Sequence, residues 1–234
     1  MANGKFRLLD TFRHTFQGTV YKHRNSTLGN KIGRALFEDL LKHNVSTHFM
    51  RHVDTGLGVV NIGGKVHGKR LRRNDSAFGK PPAAATTRAV VGFAVREGPM
   101  AEPRIGCEVK IIAKSQQKQI DRVINDLEGF ARRTKALNKR CINIAIVAVN
   151  HESDYEGHEG QRTFRNALRE GEPEHVTARL DEELAGLYDE LLVFRFRATN
   201  QPPYPFTWLD DRNVDLDYGA ALARIGEKYQ RRFR

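Results

Sequence analysis

Three consecutive stretches decide how this chain folds: RIGCEVKIIA (residues 104–113), SQQKQIDRVINDLEGFARRTKAL (115–137) and CINIAIVAV (141–149). Side chains alternate along a strand, so Glu108 and Lys110 share one face of the first stretch while Cys107, Val109 and Ile111 share the other. In the second, Ile120, Val123, Ile124, Leu127, Phe130, Ala131 and Leu137 recur at the spacing of one helical face. The third is a nearly continuous apolar run between polar residues, the pattern of a strand covered on both sides. Strand, long helix and buried strand make a βαβ unit with parallel strands.

Working outward, STLGNKIGRALFEDLLKH (26–43) reads as a helix with Ser26 as its cap and Leu28, Ile32, Leu36, Leu40 and Leu41 on its apolar face. Residues 58–66 and AVVGFAVR (89–96) read as strands, and EGPMAEP (97–103) as a turn. GKPPAAATT (79–87) reads as a flexible stretch. Beyond the βαβ unit the expectation is an acidic loop over 151–160, a helical region ending near Glu190, an alternating strand LLVFRFRA (191–198) and a terminal helix over 218–233. The fold class is α/β: one domain over 1–234 with a central mixed sheet flanked by helices. Its core pattern spans about 26–198, and a helical extension covers about 210–234.

The 234 residues suit one domain with a full core, and 39% hydrophobic against 29% charged residues places the chain among globular proteins. No apolar run approaches the roughly 18–20 residues of a membrane helix. The N-terminus has no apolar signal core, so a cytoplasmic protein without membrane association is expected. Two cysteines, Cys107 and Cys141, exclude a disulfide scaffold and a four-cysteine zinc site, and both fall on strands where packing is their role. No Walker lysine motif, HExxH helix or GxSxG elbow occurs, and GLGVVN at 56–61 lacks the last glycine of the dinucleotide fingerprint.

The formal charge of +11 is uneven: residues 1–150 carry a net +16 and residues 151–200 a net −6. The densest basic cluster is Lys65, Lys69, Arg70, Arg72 and Arg73. Such a surface points to a polyanion, and nucleic acid is the commonest partner of a small protein this basic.

An E-x-K strand that follows another strand and leads into a helix and a hydrophobic strand resembles the PD-(D/E)XK nuclease superfamily, with its restriction-endonuclease-like fold. The resemblance runs over about residues 26–150, with 191–198 as a further strand. It implies a Mg²⁺-dependent endonuclease on double-stranded DNA, of the type II restriction kind and acting as a homodimer. Glu108 would then be the second metal carboxylate, Lys110 the lysine beside the attacking water, and the Val109 carbonyl a further metal ligand. Asp75, in RRNDSAFG, is the first carboxylate on this reading, although Asn74 stands where the family has proline. Asp54 and Glu97 are its rivals.

The 33 residues from Asp75 to Glu108 require either that AVVGFAVR is an inserted strand or that Asp75 reaches in from a loop. Glu38 matches an acidic residue that some family members carry on the first helix, yet the helical wheel turns it away from the apolar face and predicts an exposed side chain. Gln117, in the first turn of the helix after the E-x-K strand, is a candidate phosphate contact. Repair, phage and mobile-element nucleases fit the same pattern, and a non-catalytic nucleic-acid-binding module would use the same basic surface.

Overall fold

The computed structural model describes residues 5–22, 27–62, 65–66, 69–70, 75–159 and 161–234, with the main chain alone at 27, 65–66, 69–70, 75 and 159. Helices α1 (Arg7–Phe16), α2 (Thr27–Lys42) and α3 (Thr47–Asp54) precede β1 (Val59–Ile62), β2 (Lys65–Val66), β3 (Lys69–Arg70) and β4 (Asp75–Lys80). Then come β5 (Arg88–Val90), β6 (Phe93–Glu97), β7 (Glu102–Ile112), α4 (Gln116–Leu137) and β8 (Ile142–Asn150). The chain ends with β9 (Asp154–Glu159), β10 (Arg162–Ala167), α5 (Glu172–Glu183), β11 (Glu190–Ala198), β12 (Phe206–Trp208) and α6 (Asp211–Arg232).

Eight strands form one mixed sheet in the order β12-β11-β8-β7-β4-β1-β6-β5. The βαβ unit is present as expected: β7 and β8 run parallel in register from Ile105–Ile142 to Ile112–Val149, joined by α4, and β11 continues the parallel set beside β8. On the other side of β7 the sheet turns antiparallel, through β4 and then β1.

Every residue of β8 is buried, and its alternation divides the core. Ile142, Ile144, Ile146 and Ala148 pack with Phe12 of α1, Leu36 of α2 and Leu222 of α6. Ala145, Val147 and Val149 pack with Ile124 and Leu127 of α4 and Val176 and Leu180 of α5. A continuous apolar run is what a strand covered by helices on both faces requires. Cys107 and Cys141 are fully buried, and neither forms a disulfide.

Several expectations change. AVVGFAVR is not one strand: it folds as the β5–β6 hairpin around Gly92 (φ +77°), and β6 crosses to pair with β1, so the segment is an insertion at the far edge. Residues 151–160 are not simply a loop, because Asp154–Glu159 pairs with Arg162–Ala167 as an antiparallel hairpin. The terminal helix starts at Asp211, seven residues earlier than its apolar spacing suggests, where the Asp210 side chain accepts from the Asn213 N–H. Helices α1 and α3 and strand β12 were not among the expected elements. The buried Asp39 caps α1 from a neighbouring helix, accepting the Arg7 and Leu8 N–H groups at 2.8 and 2.9 Å. Ser26, expected to cap α2, lies outside the described residues. No described helix is long and apolar enough to cross a membrane.

Candidate active site

The site is built where the antiparallel and parallel halves of the sheet meet. β7 presents Gly106, Glu108, Lys110 and Ile112 towards α4, following strand alternation. Gly106 allows a close approach there: a Cβ at this position would stand 3.0 Å from side-chain atoms of both Phe130 and Thr134. The helix therefore lies low on the strand, and its Asp126 reaches the E-x-K residues. Gly33 does the same for α2 against β4, since a Cβ there would fall 2.3 Å from Ser76 Oγ.

Lys110 Nζ lies 2.9 Å from Glu108 Oε1 and 3.0 Å from Asp126 Oδ2. Glu108 is 3% exposed, whereas the Lys110 and Asp126 side chains keep 17% and 26% exposure, so the cluster opens to solvent on the lysine side. Burial pulls the Lys110 pKa down, but the Glu108 charge and the bonds to both carboxylates outweigh it and hold the pKa above its ordinary value. Lys110 is therefore an ammonium across neutral pH.

The register sets Asp75 directly opposite Glu108, as the last described β4–β7 pair. Directly opposed positions of an antiparallel pair lie on one face of the sheet. Asp75 thus belongs to a strand, and the long gap to Glu108 is filled by the edge hairpin. Val109 sits one residue beyond that pair with its side chain buried in the opposite core.

The rivals stand elsewhere. Glu97 is on β6, three strand steps from β7, or roughly 14 Å at ordinary strand spacing. It is bonded to Arg34 and Arg88 at 2.6 and 3.0 Å. Asp54 closes α3, whose Phe49 packs on Phe78 and on Tyr229 of α6, across the sheet from α4.

Glu38 corrects the helical-wheel expectation. It is buried, and its two oxygens accept the N–H groups of Ala94 and Val95 at 3.0 and 2.9 Å, fastening β6 to α2. A wheel shows which side chains leave the apolar face, but not that an edge strand arrives to meet one.

Gln117 has an exposed side chain, and its N–H donates to Glu172 Oε1 at 3.1 Å. A carboxylate of this chain therefore already sits at the α4 N-terminus. In the basic cluster, β2 and β3 pair as a short ladder with Lys65 opposite Arg70, inserted where β1 and β4 end their pairing at Ile62–Ser76. In the sequence the cluster thus falls between Ile62 of β1 and Asp75 of β4. The side chains of Lys65, Lys69 and Arg70, and the whole of Arg72 and Arg73, lie outside the described residues.

Asp126 is the member that sequence reasoning missed. Its signal was present: it follows Val123 by three residues and precedes Phe130 by four, so it is an acid on the buried stripe of α4. The chain matches no protein-family model, and no curated protein matches its sequence.

Proposed function

We propose that the chain is a Mg²⁺-dependent endonuclease that hydrolyses phosphodiester bonds of double-stranded DNA, built on the PD-(D/E)XK plan. One observation carries the reading: the register that sets Asp75 opposite Glu108, with Lys110 2.9 Å from Glu108 on the same strand. The element order supports it, since α2, β1, β4, β7, α4 and β8 give a helix, three antiparallel strands ending in E-x-K, a crossover helix and a parallel strand.

The donor chemistry fits a divalent cation. Glu108 and Asp126 bring two carboxylates to the Lys110 ammonium, Asp75 stands opposite Glu108 in register, and hard oxygens are what Mg²⁺ prefers. Among the described residues, which do not include the Asp75 side chain, no group of three or more His, Cys, Asp or Glu is placed to hold a metal ion. Asp75 and Glu108 would hold the ion, with the Val109 carbonyl as a further oxygen. Bound there, Mg²⁺ supplies neutralisation of the phosphate charge.

The chain's own residues supply the rest. Lys110, as an ammonium donor, orients the water or phosphate oxygen beside Glu108 and stabilises negative charge as it develops. Asp126 holds Lys110 from the helix side and keeps it directed along the strand. The basic residues that precede Asp75 in the sequence, Lys65 to Arg73, meet the DNA backbone. Sequence-specific cleavage by a homodimer follows from the restriction-type resemblance, because a two-fold protein matches a two-fold site.

The test is cleavage of plasmid DNA with Mg²⁺ and with EDTA, by the wild type and by Glu108→Gln and Lys110→Ala. Metal-dependent cutting lost in both variants is expected, with discrete ends at one recurrent sequence. No cutting of any DNA, methylated or not, overturns the reading. A second reading, nucleic-acid binding without cleavage, draws on Lys110 being closed on two carboxylates, as in a structural ion pair; it requires salt-sensitive DNA binding and no turnover.

A further inference from the structure

On the face of the sheet opposite α4, a cleft of about 570 Å³ lies between α1, α2 and the β5–β6 hairpin. Among the described residues its lining carries Arg7, Lys31, Arg34 and Arg88, together with Phe93 and one acid, Glu97. The α1 N-terminus contributes no free N–H from its first two residues, because Asp39 accepts those of Arg7 and Leu8. The positive charge of the cleft therefore comes from side chains.

Two of these cations are held against one aromatic ring. The Arg7 and Arg34 guanidiniums lie 4.0 and 4.8 Å from the Phe93 ring centroid. Arg7 is fixed by a 2.7 Å bond to the Gly92 carbonyl, and Arg34 by its 2.6 Å ion pair with Glu97. Glu97 is already shared with Arg88, so one carboxylate serves two guanidiniums. The Arg34 side chain is only 11% exposed, and its Nη1 is buried without an acceptor among the described residues. Lys31, three residues earlier on the same helix, is exposed, and among the described residues no ion pair places it against an acid. Fixed guanidinium donors with spare N–H groups, gathered around more positive than negative charge, are suited to the tetrahedral oxygens of a phosphate.

We infer that this cleft is a phosphate-binding site, separate from the Glu108 cluster and independent of whether that cluster cuts DNA. The phosphate belongs either to a nucleic-acid backbone or to a free phosphate compound, and the chemistry of recognition is the same for both. Lys31 contributes long-range charge at the rim, and Arg34 contributes direct bonds from the floor.

The test is carried out in EDTA, so that cleavage plays no part, with inorganic pyrophosphate as one probe and a short DNA duplex as the other. Pyrophosphate is expected to raise the melting temperature of the wild type and of Glu108→Gln alike. Lys31→Glu, which alters an exposed position and leaves the Arg34–Glu97 pair intact, is expected to weaken pyrophosphate binding by about tenfold or more, and Arg34→Gln further. If both variants also weaken duplex binding, the phosphate is that of a nucleic-acid backbone; if duplex binding is unchanged, it is that of a free phosphate compound. The inference is overturned if Lys31→Glu binds pyrophosphate as tightly as the wild type, if Glu108→Gln abolishes that binding, or if chloride at equal ionic strength stabilises the protein equally. Plasmid cleavage by the wild type is scored separately, so a failed nuclease reading leaves this result intact.

Discussion

Two groups of buried and half-buried charge sit on the sheet, and acids and bases meet differently in each. At the start of β11, Asp189 and Glu190 meet Lys135, Arg224, Lys228 and Arg232: two acids against four bases. Burial pushes the Asp189 carboxyl up, but Arg232, the Asn143 N–H and Lys135 outweigh it and hold its pKa below the usual range. This group ties α6 and α4 to the β8–β11 edge. Between β7 and α4, Glu108 and Asp126 both pair with Lys110, and Asp75 is opposite Glu108 in register. In a chain of net charge +11, cations are plentiful enough to satisfy the first group in excess. Two carboxylates meeting on one lysine, with a third acid opposite in register, form the arrangement that we propose as a cation site, whereas the β11 group is read as a clamp.

The comparison can be broken most directly at Glu108. Glu108→Gln is expected to lower Mg²⁺-dependent plasmid nicking by about a thousandfold or more while the protein still folds. If the variant nicks at the wild-type rate, the Glu108 group is no more functional than the clamp.

Asp189→Ala should do the reverse. It leaves Lys135, Arg232 and the Asn143 N–H facing a vacated position, and it is expected to cost about 3 kcal/mol in urea unfolding with cleavage per folded molecule unchanged.

The clamp side also carries a pH test. His52, buried against the α6 hydroxyl of Tyr229 at 2.9 Å, has its pKa lowered to about 4 by burial and by the neighbouring Arg104 and Arg51. The folded state thus favours the neutral ring, and the unfolded chain binds the proton more tightly. The stabilisation is full above the unfolded value of 6.5 and is lost progressively as pH falls towards about 4. A His52→Gln variant should lack that component; equal loss of melting temperature in both proteins over this window would refute it.

The smallest effect is expected at Asp126→Asn. Removing its charge while keeping a hydrogen-bonding side chain should slow cleavage by about tenfold, because Lys110 keeps Glu108 but loses its second anchor. A loss as large as that of Glu108→Gln would place Asp126 among the metal ligands.

Much of this was legible in the residues. The change of period from β7 to α4 to β8 located the βαβ unit, and the E-x-K strand put Glu108 and Lys110 on one face, because local periodicity records which side of an element meets the core. What periodicity does not record is which distant element arrives. Glu38 looked exposed on its own helix and is buried because β6 docks on it. Asp126 was readable as an acid on an apolar stripe, yet its partner Lys110 lies 16 residues away and is brought to it by the fold alone. AVVGFAVR had the composition of a core strand, but Val91-Gly92 turns it into a hairpin that leaves β4 free to pair with β7.

The amino-acid sequence by itself determined the α/β class, the buried central strand, the clustering of positive charge in residues 1–150 and the pairing of Glu108 with Lys110 on one strand face. These follow from side-chain alternation, helical spacing and simple charge, which are properties of neighbours along the chain. The tertiary structure decided that Asp75 stands opposite Glu108, that Asp126 closes on Lys110, and that Arg7, Lys31, Arg34 and Arg88 converge on one cleft. Each of these joins residues from separate elements, and their meeting depends on strand register and helix docking, which the packing of the whole core sets.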